Sequence, residues 1–277
     1  MISGKSTLIA HIGFPTESFK ASYIYNPWFE RAGVDAAVIP MGVKADDFPG
    51  VFESIFKFTN IRGALVTMPH KVTTAGLVDE CTTTVKIAGS CNAVLKRPDG
   101  SLLGDMFDGV GFTRGLRRKG FVFEGAKCLV VGTGGVGSAI AASLAADGVA
   151  SLSLFDADAT AASELGGRLR KHYPDLAVNV GSRDPAGCDL VVNGTPLGMN
   201  ASDPLPIDVT RLSSRTFVGE VVMKQEITPL LAAARELGCR YQVGTDMLFE
   251  MIPAYLEFFG FGTATPDELR TVAKVAY

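Results

Sequence analysis

Apolar residues along the first hundred positions arrive in two rhythms. Dense short runs, LIAHIG at 8–13, DAAVIPM at 35–41 and IRGALVTM at 61–68, read as strands. Between them, residues 23–33 and 45–58 carry apolar side chains at helical spacing. That βαβαβ alternation predicts parallel pairing through right-handed crossovers. Pro69 fits the first position of a new helix. Residues 92–96 and 102–106 read as two more short strands, joined by the turn signal Pro98-Asp99-Gly100.

A second run of the same rhythm begins near residue 127. A buried-strand pattern at 127–131 leads into glycines and then a small-residue helix at 138–146. SLSLFDAD at 151–158 is the next strand, followed by a helix over about 160–172. DLVVNGTP and TFVGEVV supply later strands, and TPLLAAARELG is a helix stopped by Gly238. Two helices make the tail from about Thr245. The pattern predicts an α/β protein with two separate βα units, followed by a helical tail.

Composition narrows the function without naming it. With 277 residues, 47% apolar and 20% charged, a net charge of −3 and no sustained run of basic residues, the chain argues against nucleic acid or an anionic membrane as its main partner. No apolar run is long enough to span a bilayer, and the first fifteen residues lack the pattern of a signal peptide. Five scattered cysteines without a C-x-x-C pair suit reduced thiols in a cytoplasm. Three histidines, none at ligand spacing, argue against a metal. Gly4-Lys5-Ser6-Thr7 ends like a phosphate-binding loop but has no strand before it.

Gly132, Gly134, Gly135, Val136 and Gly137 lie in a G-x-G-x-x-G segment between a strand and a helix. Asp156 ends the next strand. Glycines there let the backbone approach a pyrophosphate, the helix N-terminus stabilises its charge, and the acid accepts from ribose hydroxyls. A carboxylate repels the 2′-phosphate of NADP, and FDAD offers no local arginine to receive one, so NAD is the expected cofactor. Arg168 and Arg170 are a few helical turns away, and Asp158 reads as a helix-start residue.

VTMPHK at 66–71 places Lys71 beyond a strand's C-terminal end, the edge at which ligands of parallel sheets bind. A helix dipole disfavours a cation at that point and favours the neutral, basic amine. His70 beside it reads as an outward or structural histidine.

Several segments together resemble the shikimate/quinate dehydrogenase family over nearly the whole chain. They are GFP at 13–15 with Asn26, VTMPHK, AGSCNAV at 88–94, GDMFDGVGF at 104–112, GTGGVG at 132–137, NGTPLGM at 193–199, TPLLAAARELG and GTDML at 244–248. The resemblance implies an N-terminal α/β substrate domain over 1–107, a dinucleotide-binding Rossmann domain over 108–244, and C-terminal helices over 245–277 that return to the first domain. It implies hydride transfer between a ring hydroxyl carbon and a nicotinamide, with Lys71 and Asp108 as the catalytic pair. Thr67 and Asn92 fall at retained substrate positions, while Asn193, Thr195, Val222 and Gly244 fall on the cofactor side.

Six positions that are polar in the family are apolar here: Phe19, Ala21, Leu65, Phe107, Met223 and Met251. Tyr25 stands where the family has a histidine. Each hydrogen bond lost to a charged group is worth about 1.5–3 kcal/mol. The expected substrate is therefore a cyclic alcohol or ketone less polar than shikimate. The alternatives are a genuine shikimate or quinate dehydrogenase with unusual carboxylate binding, or a non-catalytic sensor of NAD or ligand. A homodimer is compatible with this reading.

Overall fold

The dense apolar runs before residue 107 form one sheet, and those after residue 126 form a second. The structure is a computed structural model and describes residues 2–200 and 202–274. The chain divides into two compact units, Met1–Phe107 with Ile252–Tyr277, and Asp108–Met251.

The first unit holds β1 (Thr7–Gly13), β2 (Ala36–Gly42), β3 (Ile61–Val66), β4 (Glu80–Cys81), β5 (Ala93–Lys96) and β6 (Leu102–Asp105), in the order β2-β1-β3-β5-β6-β4. β1 runs parallel to β2 and β3, whereas β5 is antiparallel to β3 and β6. Its helices are α1 (Ser22–Ala32), α2 (Phe48–Ile55), α3 (Lys71–Ala75) and α4 (Thr83–Ala88). Asn26 on α1 acts as an extra strand neighbour for β2. Its side chain accepts from Val38 N–H at 2.8 Å and donates to Val38 C=O at 3.0 Å. Pro69 does not open a helix: α3 begins two residues later, after a turn in which His70 N–H donates to Thr67 C=O. α3 is barely more than one turn long, so it supplies little of the dipole expected at Lys71.

The second unit holds α5 (Asp108–Arg118), β7 (Lys127–Val131), α6 (Gly135–Ala146), β8 (Ser151–Phe155), α7 (Ala159–His172), β9 (Ala177–Val180), β10 (Leu190–Asn193), β11 (Phe217–Glu220), α8 (Pro229–Glu236) and β12 (Arg240–Gln242). All six strands are parallel, in the order β12-β11-β10-β7-β8-β9. The chain winds outward from β7 to β9 and then returns to β10 on the far side of β7. The β7–β10 junction is thus the switch point at which such sheets bind ligands. β11 stops at Glu220, short of Val221 and Val222.

α9 (Gly244–Phe259) crosses the division, which falls after Met251 rather than after Gly244 as the sequence suggests. Residues 252–277, including α10 (Pro266–Val272), belong to the first unit.

Candidate active site

The glycine-rich turn leaves β7 at the switch point. Gly132 has φ +92°, and a Cβ there would meet Thr195 Cγ2 at 2.6 Å. A Cβ on Gly137 would collide with the Gly132 carbonyl. Gly134 differs: nothing lies within 4 Å of its missing Cβ, so the loop presents open backbone where α6 begins. α6 is twelve residues long, and its free N–H groups suit a pyrophosphate. These residues fit a dinucleotide.

Asp156 lies just past β8. One of its oxygens accepts from Thr133 N–H at 2.6 Å and Thr133 hydroxyl at 3.1 Å, and the other accepts from Asp158 N–H at 3.0 Å. Burial opposes its ionisation, but these donors outweigh it and hold the carboxyl below its ordinary value. The charge expected from the sequence is present, and it also ties the glycine loop to β8. Asp158 caps α7, accepting from Thr160 and Ala161 N–H. Arg170 donates to Val178 C=O and Arg168 lies 3.9 Å from Glu164. A further arginine comes from elsewhere in the sheet: the Arg183 guanidinium lies 5.5 Å from the ring centroid of Phe155.

Beyond β10, the Asn193 side chain organises the loop. Its amide donates to Leu197 C=O and Glu220, and its oxygen accepts from the N–H and hydroxyl of Thr195. Glu220, fully buried, also accepts from Val221 N–H, Val222 N–H and the Thr228 hydroxyl. Burial pushes its carboxyl above the usual range against these donors. Asn193, Thr195 and Val222 are therefore joined through one buried glutamate that the sequence does not single out. A Cβ on Gly244 would strike the Val222 carbonyl, so the glycine permits a close backbone crossing.

In the first unit, Lys71 opens α3, half-buried, and its carbonyl accepts from Cys91 N–H. Thr67 lies just beyond β3, bonded to Ile12, and its methyl blocks any side chain at Gly13. Buried Asn92 accepts from Phe107 N–H at 2.9 Å, fixing the chain one residue before Asp108. Asp108, 4% exposed, is the first residue of α5 in the second unit.

The divergent positions separate into sealed and open ones. Phe19, Leu65 and Phe107 are buried, the last stacked edge-on against Tyr255 and Phe258. Ala21 is half-buried and Met223 is 44% exposed. Met251 is half-buried, and its Cβ is 2.5 Å from where Gly111 would carry one. Tyr25 is buried with its hydroxyl unpartnered.

His11 is the residue missed here. It lies on β1 opposite Leu65, its ring 4.2 Å from that of Phe19, with a buried and unpartnered Nδ1. Burial, with the Lys71 charge second, lowers its pKa to about 4, so the ring is neutral. A polar residue inside an apolar strand run was the available signal. His70 is structural and buried, not outward: Nε2 is 2.8 Å from Val43 C=O, and the ring stacks on Phe48 at 3.9 Å.

Known proteins share this fold. Residues 12–94 match the family described as the shikimate dehydrogenase substrate binding domain. The NADP(+) shikimate dehydrogenase of Rhodospirillum rubrum is 31% identical over 278 residues, spanning 98% of this chain and 98% of that protein. Shikimate 5-dehydrogenase of Listeria monocytogenes, solved with shikimate and NAD, superposes with a TM-score of 0.91 at 25% identity, over 98% of this chain and 97% of its own. Quinate dehydrogenase of Corynebacterium glutamicum, solved with NAD, gives 0.85 at 26% identity, over 96% of this chain and 98% of its own. A nicotinamide dinucleotide is accordingly the class of cofactor. Similarity of that extent, joined to the switch-point glycine loop, makes this chain a member of the shikimate/quinate dehydrogenase family of oxidoreductases.

Proposed function

We propose that the protein interconverts a ring secondary alcohol and its ketone, prefers NAD to NADP, and takes a substrate less polar than shikimate. The observation that carries the substrate reading is the burial of apolar Phe19, Leu65 and Phe107 while Lys71, Asp108, Thr67 and Asn92 are kept. Apolar bulk at three family polar positions removes donors that a trihydroxy acid would use. The cofactor preference rests on Asp156, whose anchored negative charge favours a ribose hydroxyl over a phosphate.

The dinucleotide supplies the hydride acceptor. Lys71 and Asp108 remove the hydroxyl proton as the carbonyl forms and return it in the reverse direction. Thr67 and Asn92 orient the ring, and Asn92 also holds the backbone that leads into Asp108.

Steady-state kinetics on shikimate, quinate and a series of cyclic alcohols, each with NAD and NADP, test the reading. Replacing Lys71 by Ala is expected to lower kcat by about 10²–10⁴-fold, with dinucleotide affinity unchanged. A micromolar KM for shikimate would overturn the less polar substrate, and a lower KM for NADP would overturn the cofactor preference. The names of the relatives favour a second reading, ordinary shikimate dehydrogenation with NADP, and the same measurements decide between them.

A further inference from the structure

A cation 27 positions along the chain from Asp156 stands at the same edge of the second sheet. Arg183 follows β9, the neighbour of β8 in the sheet, and is exposed. Its guanidinium rests over the Phe155 ring, and Phe155 is the residue immediately before Asp156. The sheet thus brings a cation to the edge where Asp156 stands, although FDAD contains none. Its sequence neighbour Asp184 does not neutralise it, because that carboxylate is held by Arg211 through two bonds of 2.6 Å. Asp156, meanwhile, already accepts hydrogen bonds at both oxygens from its own loop.

We propose that Arg183 is a second cofactor-specificity residue, receiving the adenosine 2′-phosphate of NADP and opposing the exclusion exerted by Asp156. The inference rests on the dinucleotide site described above. A guanidinium within cation–π reach of an aromatic ring has its side chain partly ordered and can still turn N–H groups outward, which suits a phosphate dianion. The two residues act in opposite senses. Asp156 favours the hydroxyl, Arg183 favours the phosphate, and their balance gives a protein that binds both dinucleotides with NAD ahead.

The test is equilibrium calorimetry on the full chain with NAD, NADP, 5′-AMP and 2′,5′-ADP, needing no turnover. Arg183→Ala is expected to weaken NADP and 2′,5′-ADP by about tenfold, the size of a charge-assisted contact at an exposed site. NAD and 5′-AMP should stay within about twofold, as only the phosphate contact is lost. Asp156→Asn should tighten NADP relative to NAD, and adding Arg183→Ala should cancel much of that gain. Raised salt should weaken 2′,5′-ADP binding to wild type more than to the arginine variant. Equal weakening of all four ligands would mean that Arg183 stacks on adenine or acts through general charge, and no change would mean that it is a surface residue; either overturns the proposal. Wild type binding neither NAD nor NADP would instead overturn the dinucleotide site itself. Because Arg183 is exposed, loss of fold is not expected, and matched circular dichroism and thermal midpoints would verify it.

Discussion

One imidazole on β1 makes stability sensitive to acid. His11 is buried against Phe19 with Nδ1 unpartnered, and its folded pKa is about 4 against an ordinary 6.5. Between those values the unfolded chain binds a proton that the folded chain refuses. The contribution to stability is therefore held above pH 6.5 and lost as pH falls towards 4, at about 1.4 kcal/mol per pH unit. His11→Leu removes both the titration and an unpartnered buried nitrogen. Urea unfolding at pH 7 and pH 5 should show the variant gaining about 1–2 kcal/mol on wild type over that interval. A constant difference would show that the ring is already paired or already charged. At this scale, residue identity told more than residue environment. Asp156 stands out by its type and its spacing from the glycine loop, whereas Lys71 and Asp108 stand out through the motifs shared with the family. His11 and Glu220 do not, because what matters about them is desolvation, and desolvation is set by packing between distant strands.

At the scale of elements, β10, β11 and the start of α8 are joined by Glu220. Four donor groups converge on its carboxylate: the Asn193 amide, Val221 N–H, Val222 N–H and the Thr228 hydroxyl. Glu220→Gln keeps the volume but points an NH₂ at a pocket lined by the Asn193 amide, two backbone N–H groups and a Thr228 hydroxyl that already accepts from Leu231 N–H. An unsatisfied buried pair costs about 2 kcal/mol, and the loop carrying Thr195 should loosen with it. Chemical unfolding should show that loss together with weaker dinucleotide binding; unchanged stability would mean that the glutamate is already protonated and tolerant of the amide. Elements with strong patterns of their own were legible, since β1, β3, β7 and α8 have dense or periodic apolar patterns with cap or stop residues. β4, β9 and β12 were not. Each has only two to four residues, and β9 is mostly exposed, so its pairing comes from the sheet rather than from its own side chains. The helix at Lys71 was expected to start at Pro69, because proline's fit to a first turn is a preference that the turn through His70 overrides.

For the whole molecule, each unit carries its own sheet and its own buried side chains, while the residues read as binding a dinucleotide all lie in Asp108–Met251. The division was visible as two separate βα rhythms. Its second boundary was not, because α9 runs through it without a break in apolar pattern. A ligand that binds the folded unit and not the unfolded chain stabilises that unit by mass action, by about 2.7 kcal/mol at a hundred times its Kd. Hydrogen exchange in saturating NAD should therefore slow most strongly across β7, α6, β8 and the β10 loop. Amides on β1, β3 and β5 that open by local rather than global unfolding should change little, because their opening does not release the dinucleotide. Slowing confined to the first unit would place the dinucleotide elsewhere and remove Asp156 and the glycine loop from the site. Repeating the exchange with NADP and with Arg183→Ala extends the argument. If the arginine meets the 2′-phosphate, its loss should shrink the protection given by sub-saturating NADP at β8 and leave that given by NAD intact.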